Sequence, residues 1–352
     1  MTHYNGISII VCVHNGAKKI TSTLQALAAQ NIPYGMQCEL LIIDNASSDN
    51  TAEIANQFWE SVNAPFPIIT INEPKAGKAN ALIKGYNNAR YELMLLCDDD
   101  NWLQPNYLIT ACEIYSLHPQ IGLLGGYGKA FFEKNTKPKW FNKWENCYVC
   151  GKHHEKNGFL KPSDFSIWGA GSVLRKSMWV FLRNSGFTFY NSTTKGKAMS
   201  EDAELSMAIS FTQHRLYFDE RLWFYHDLRD GRITWDNLIT QQSLNGKTNA
   251  ILYIYSLVIE HVNETTIYVK WFVIKKILGL LLKTGISFLK PNNKPRWIYF
   301  YNIFYELLTN INHYTKLGKE SIKWIKQVNN AKPLSENDNI TCFGNANKEL
   351  TK

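Results

Sequence analysis

The sequence predicts an α/β fold with a mostly parallel central sheet and a C-terminal helical extension. Apolar runs of strand length alternate with helical periods through residues 7–117. Polar and acidic residues stand where those runs end, and helical patterns take over from Ile233 to about Lys326.

Residues 7–13 read as a buried strand and 17–30 as a helix. A second strand at 39–43 precedes a helix at 50–59, a third at 67–71 precedes a helix at 78–90, and a fourth at 92–97 precedes a helix at 105–117. Strands and helices alternating over short links specify a parallel sheet covered on both faces. Ligands of such sheets bind outside the carboxyl ends of the strands. Three of those ends carry His14-Asn15, Asp44-Asn45 and Asp98-Asp99-Asp100. From residue 121 the pattern changes to a glycine-punctuated region around Gly125, Gly126 and Gly128. Residues 140–165 are aromatic, basic and irregular, 166–174 extended, and 201–212 helical. The polar tail, 329–352, is expected to be flexible.

Hydrophobic residues make up 45% of the 352 residues and charged residues 19%, which excludes a disordered chain. The seven cysteines (12, 38, 97, 112, 147, 150 and 342) are scattered and odd in number, so reduced thiols are expected. No signal-peptide pattern precedes the first strand, and a cytoplasmic protein is expected. Much of the +8 net charge lies in the C-terminal third: Lys270, Lys275, Lys276, Lys283, Lys290, Lys294 and Arg296 occur with no Asp or Glu between them. The basic region is therefore separate from the acids.

Alternation along a strand would put Asp98 and Asp100 on one face and Asp99 on the other. Two carboxylates on one face suit Mg²⁺ or Mn²⁺, with phosphates completing the shell. Asp44 can accept from a base or a ribose, while residues 47–50 read as a helix cap. Gly77 before a helix lets a ligand approach backbone amides, and Lys78 adds charge near a phosphate; the plain alternative is a surface lysine. Gly169-Ala170-Gly171 is either a strand edge or a wall that an acceptor approaches. Glu201 and Asp202 in a first helical turn favour the helix dipole; a catalytic Asp202 there would have a lowered pKa and stay ionised. His226 is either structural or a third metal ligand, with Arg229 and Arg232 as a diphosphate clamp. Cys147-x2-Cys150-x2-His153 admits a zinc reading, weakened because no second Cys pair exists. Residues 267–289 mix large apolar groups with lysines. They suit a helix lying in a membrane interface, or equally one packed on the preceding domain.

The ordered series Ser8 to Asn15, Asp44 to Thr51, Gly77 to Asn80, Asp98 to Asn101, Gly169 to Gly171, Glu201-Asp202 and His226 with Arg232 to Trp235 resembles inverting family 2 glycosyltransferases of the GT-A fold. The resemblance covers residues 6–240. It departs from the usual Pro-x-Tyr-Asn at the first strand end, where this chain has Cys12 and His14. It implies a catalytic domain at 1–240, with a nucleotide-binding half (1–127) and an acceptor-binding half (128–240). A helical extension (241–328) and the tail (329–352) would follow.

The implied reaction moves a sugar from a nucleoside-diphosphate sugar, UDP-linked in this reading, to an acceptor hydroxyl with inversion. His14, Asp44, Asn45, Lys78 and Asp98 would bind the donor, and Asp98, Asp100 and His226 a Mn²⁺ or Mg²⁺ ion. Gly169, Ala170, Gly171 and Glu201 would bind the acceptor, and Asp202 would take its proton. The acceptor would be a glycan or a lipid-linked glycan in cell-surface polysaccharide assembly, reached by peripheral contact with the anionic inner face of the membrane. Aromatics at 140–148 would stack on sugar faces. Two rivals stand beside this reading. A non-catalytic basic protein on a membrane surface or RNA explains the charge, but not acids that repel phosphates, and no nucleic acid is expected. A same-fold enzyme could instead use another activated substrate.

Overall fold

The computed structural model describes residues 4–133, 136–161, 166–189, 201–229, 231, 233–261, 269–290 and 293–330. Arg232, Cys342 and residues 331–352 of the tail lie outside the described residues.

Strands β1 (Gly6–Val13), β2 (Gln37–Asn45), β3 (Ile68–Glu73) and β4 (Leu93–Asp98) run parallel in the order β3-β2-β1-β4. Helices α1 (Ile20–Ala28), α2 (Thr51–Ser61), α3 (Lys78–Asn88) and α4 (Tyr107–Leu117) connect and follow them. The side-chain period of two sorts each strand between two cores. Ile9, Val11, Leu40, Ile42, Leu93 and Leu95 pack under α1, α2 and α4, while Ile10, Leu41, Ile43, Met94 and Leu96 face α3. The chain winds outward through β2 and β3, then crosses back to place β4 on the other side of β1. That reversal opens a crevice at the carboxyl ends of β1 and β4. Register makes the tips level, with Val13 opposite Asp44 and Cys12 opposite Asp98.

The second half of the sheet is mixed. It contains β5 (Asn101–Leu103), β6 (Ile121–Phe131), β7 (Gly158–Phe159), β8 (Val173–Arg175) and β9 (Arg215–Asp227), in the order β4-β8-β6-β9-β5 with β7 on β9. The glycine-punctuated region is therefore a strand. A Cβ on Gly126 would overlap the Leu222 carbonyl, so glycine lets β9 approach β6 at the point where their register shifts. The extended stretch at 166–174 narrows to β8, because Gly169 and Ala170 form a turn. Helices α5 (Phe141–Trp144), α6 (Lys176–Asn184) and α7 (Glu201–Ser210) complete this part. The sequence pattern shows neither α5 nor α6.

Helices α8 (Trp235–His261), α9 (Val269–Phe288), α10 (Lys294–Thr309) and α11 (Ile311–Asn330) share a core that includes Ile251, Ile254, Leu257, Val273, Ile277, Leu280, Ile303, Leu307, Ile322 and Ile325. The Trp324 indole N–H of α11 donates to the Ser185 carbonyl after α6 (2.6 Å), pinning this bundle to the sheet domain. Among the described residues, no helix is long and apolar enough to cross a membrane.

Candidate active site

A cleft of about 550 Å³ occupies the predicted crevice. Cys12, Val13 and His14 form one wall, and Asp98, Asp99 and Asp100 form the floor. Cys147 to Val149, His226, and the first turns of α8 through Gln241 and Leu244 close the far side.

The acids do not divide by strand alternation, because β4 stops at Asp98 and the next two sit in a tight turn before β5. Instead they fan out to three partners. The Asp98 carboxylate accepts from the Lys78 Nζ at 3.1 Å. Asp99 lies against Gly16 of the β1–α1 loop, with Lys19 as a counter-charge. Burial, then the charges of Asp100 and Asp98, push Asp99 up to about 6. Asp100, itself buried, faces His226 with 3.5 Å between Oδ1 and Nε2.

His226 Nδ1 donates to the Tyr148 carbonyl at 2.8 Å, which turns Nε2 toward Asp100. Burial lowers the imidazole pKa, but the side chains of Asp100 and Cys150 outweigh it and raise it to about 10. Nε2 would ligate a metal only without its proton. A carbonyl bond at Nδ1 with Nε2 turned into the cleft is nonetheless the orientation that ligating histidines adopt. Among the described residues, no three His, Cys, Asp or Glu side chains group around one point. The donor set therefore fits an ion held by few protein ligands and completed by phosphate oxygens, as Mg²⁺ and Mn²⁺ are. It does not fit a closed cage.

His14 lines the cleft and is exposed, its Nδ1 donating to the Asn45 carbonyl at 2.8 Å. Asn45 also lines the cleft, and its side chain has a second task. Its amide donates to the carbonyls of Glu73 and Lys75 and accepts from the Gly77 N–H, clamping the loop that leads into α3. Asp44 has a buried Oδ1 that meets no partner among the described residues. Residues 47–51 stitch two loops together as well as starting a helix. Ser47, Asp49 and Thr51 accept from the backbone of Asn15, Ala17 and Gly16, and Asn15 accepts from the Ser48 N–H.

Asp202 opens on a smaller cavity of about 140 Å³ that shares Lys78 and Val149 with the cleft. Its Oδ2 accepts from the Gly169 N–H at 3.2 Å, and its Oδ1 from the Ala203 N–H at 2.8 Å. The expectation of a lowered pKa is overturned. Burial raises the Asp202 pKa, and the opposing Lys78 charge and two amides do not compensate. Burial likewise raises the buried Glu201 beside it. Lys78 is held above its ordinary value by Asp98, with Glu201 and Asp202 adding to it against desolvation. Although 47% of its side chain is exposed, it joins the acids of both cavities.

Of the predicted acceptor wall, Gly169 reaches the small cavity, but Ala170 and Gly171 do not. Ala170 belongs to the core. Gly171 turns at φ +72°, with the Tyr107 hydroxyl donating to its carbonyl at 2.7 Å. The aromatics at 140–148 are also largely withdrawn. Phe141 and Tyr148 are buried against Leu238, and Trp140 packs edge-on to Trp235. Cys147, Cys150 and His153 do not assemble. Cys147 Sγ accepts from Gln242, Cys150 donates to the Tyr148 carbonyl, and His153 packs on Trp168. Tyr148, one of the aromatics at 140–148, does line the cleft, and its buried hydroxyl meets no partner among the described residues. Residues that the pattern did not flag include Asn237, Thr240 and Gln241 of α8. They reach the cleft only because α8 folds back across it, which no local motif announces.

Residues 8–179 match the model of glycosyl transferase family 2. The chain carries a family 2 glycosyltransferase domain. A poly-β-1,6-N-acetyl-D-glucosamine synthase of Staphylococcus epidermidis is 31% identical to this chain over 121 residues, 34% of its length. The match spans 28% of that relative's length. Among solved structures, the mannosyltransferase PcManGT of Pyrobaculum calidifontis, in complex with GDP-Man and Mn²⁺, has a TM-score of 0.55 at 14% identity. The alignment covers 88% of each chain and shows a shared GT-A-type fold. S. aureus TarS in complex with UDP-GlcNAc has a TM-score of 0.49 at 15% identity, covering 92% of this chain and 90% of that one.

Proposed function

We propose that the chain transfers a sugar, with inversion, from a nucleoside-diphosphate sugar to an acceptor hydroxyl. One observation supports this most: the level strand tips gather three aspartates on the floor of one cleft, and Lys78 joins them to a second, acid-lined cavity. His14 and Asp44 would receive the nucleoside, with Asn45 holding the loop beneath it. One or two of Asp98, Asp100 and His226 would hold Mn²⁺ or Mg²⁺, with phosphate oxygens completing the shell. When bound, such an ion neutralises charge on the departing diphosphate. Lys78 would stand beside the same phosphates.

Asp202 would take the proton from the acceptor hydroxyl as its oxygen attacks the anomeric carbon and the bond to the diphosphate breaks. Its raised pKa makes it a stronger base than an ordinary aspartate. Gly169 holds that carboxylate from one side and Glu201 flanks it, so the acceptor would enter between them. The partial match to an N-acetylglucosamine polymer synthase makes UDP-N-acetylglucosamine the first donor to try. An acceptor in cell-surface or lipid-linked glycan assembly, at the inner face of the membrane, suits the same match. The six free cysteines among the described residues agree with a reducing compartment.

The experiment is Asp202→Asn assayed against a panel of nucleotide sugars. Transfer should be lost while nucleotide affinity is kept. Normal turnover by the variant would remove Asp202 from the role.

A further inference from the structure

We propose that the outward face of α9, continued by an aromatic ridge on α10, docks on an anionic lipid bilayer and lies in its headgroup region without crossing it. Helix α9 is apolar on two opposite sides. Val269, Val273, Ile277 and Leu280 face the bundle core. On the other side, Trp271, Leu278, Leu282 and Leu289 follow one line at spacings of seven, four and seven residues, and all are exposed, Leu282 by 67% and Leu289 by 81%. Leu281, Ile286 and Phe288 flank that line and are exposed too. A soluble surface rarely gathers so many large apolar groups without covering them.

The patch continues onto the next helix. Phe288 meets Trp297 with 5.6 Å between ring centroids, Trp297 meets Tyr301 at 5.9 Å, and Tyr301 meets Tyr305 at 6.1 Å. Tryptophan and tyrosine have an apolar body and a polar tip, which suits them to headgroup depth.

Charge complementarity selects the occupant. Residues 265–305 carry seven Lys and Arg and no Asp or Glu. Lys276 and Lys283, spaced by seven, share one side of α9, Lys283 reaching toward the Tyr253 and Phe300 rings (6.0 and 5.9 Å), Lys290 follows just past the helix end, and Lys275 lies over the Trp271 ring at 5.2 Å. Basic side chains beside an interfacial apolar face are attracted to anionic lipid, and their stems can lie along the acyl boundary. The bundle is also tied to the cleft. Helix α8 lines the cleft with Thr240, Gln241 and Leu244, then packs Gly246 and Asn249 against Tyr299 of α10. Docking would therefore fix the cleft relative to the bilayer. That it presents a lipid-borne acceptor rests on the transferase reading; the docking itself does not.

The test is vesicle flotation of the full chain, with phosphatidylcholine vesicles compared with vesicles that also contain phosphatidylglycerol. Wild type should float with the anionic vesicles and be released by salt. Leu282→Glu/Leu289→Glu should lose at least tenfold in bound fraction at an unchanged Tm. Lys283→Glu/Lys290→Glu should lose the preference for anionic lipid. Three results would overturn the proposal: no flotation at low salt, flotation indifferent to both variants, or a solution dimer dissolved by the leucine variant without any lipid binding. Nucleotide binding is measured on the same samples. A protein that floats but binds no nucleotide keeps the docking and loses the transferase reading; one that binds nucleotide but never floats does the reverse.

Discussion

Asp202 is pulled two ways, by burial that favours its neutral form and by Lys78 and two amides that favour its charge. Burial prevails, and two outcomes follow. A base must be ionised, so activity should fall as pH drops through a pKa above the ordinary aspartate range; the acid limb of kcat/KM checks this. A carboxylate whose folded pKa is raised binds more protons folded than unfolded, so it costs stability as pH rises through that interval. Asp202→Asn should therefore lose about 10²–10⁴-fold in kcat, yet unfold at the same or a higher temperature at pH 7. A lower Tm would contradict the direction of the shift. The residue's position could be read from the sequence, because acids in a first helical turn following an extended glycine segment mark a place. Its pKa could not, since the desolvation comes from α7 packing beside Gly169, over thirty residues away in sequence.

Asn45 at the tip of β2 clamps the β3–α3 loop. Asn45→Ala removes three hydrogen bonds and frees the loop that presents Lys78. It should cost roughly 1–3 kcal/mol and weaken donor binding more than it slows turnover, as thermal unfolding and KM would report. Gly171→Ala would set a Cβ against the Tyr107 hydroxyl in a backbone region closed to most residues. A loss of roughly 1–3 kcal/mol is expected, with nucleotide affinity unchanged. Strands β1, β2 and β4 were legible because each is buried on both faces and writes a continuous apolar run, and the half-exposed edge strand β3 still carries Ile68, Ile69 and Ile71. The run of β6 is broken by the glycines that let β9 approach, and β5 is three residues long. Neither writes a period. The place of Asn45 on the cleft was legible from its strand tip, but its clamp on the loop before α3 was not, because that loop is some thirty residues away in sequence.

Across the whole molecule, acids and bases are segregated. The cleft concentrates Asp98, Asp99 and Asp100, while the four-helix bundle holds the unbalanced lysines. The convergence of strand tips was legible because topology alone brings the carboxyl ends of parallel strands to one rim. The far wall was not: α8 crosses the cleft through packing on Tyr148 and Phe141, which sequence spacing does not encode. The withdrawn aromatics have the same cause, since they became the small core that seats α8. Acids in the cleft would repel a diphosphate unless a cation intervened. Titration calorimetry of UDP with the wild-type protein and with Asp98→Asn/Asp100→Asn, with Mn²⁺ and with chelator, therefore tests the central claim most directly. Binding should require the ion and weaken at least tenfold in the double variant. Equal affinity with chelator, or a double variant that binds like wild type, would contradict it.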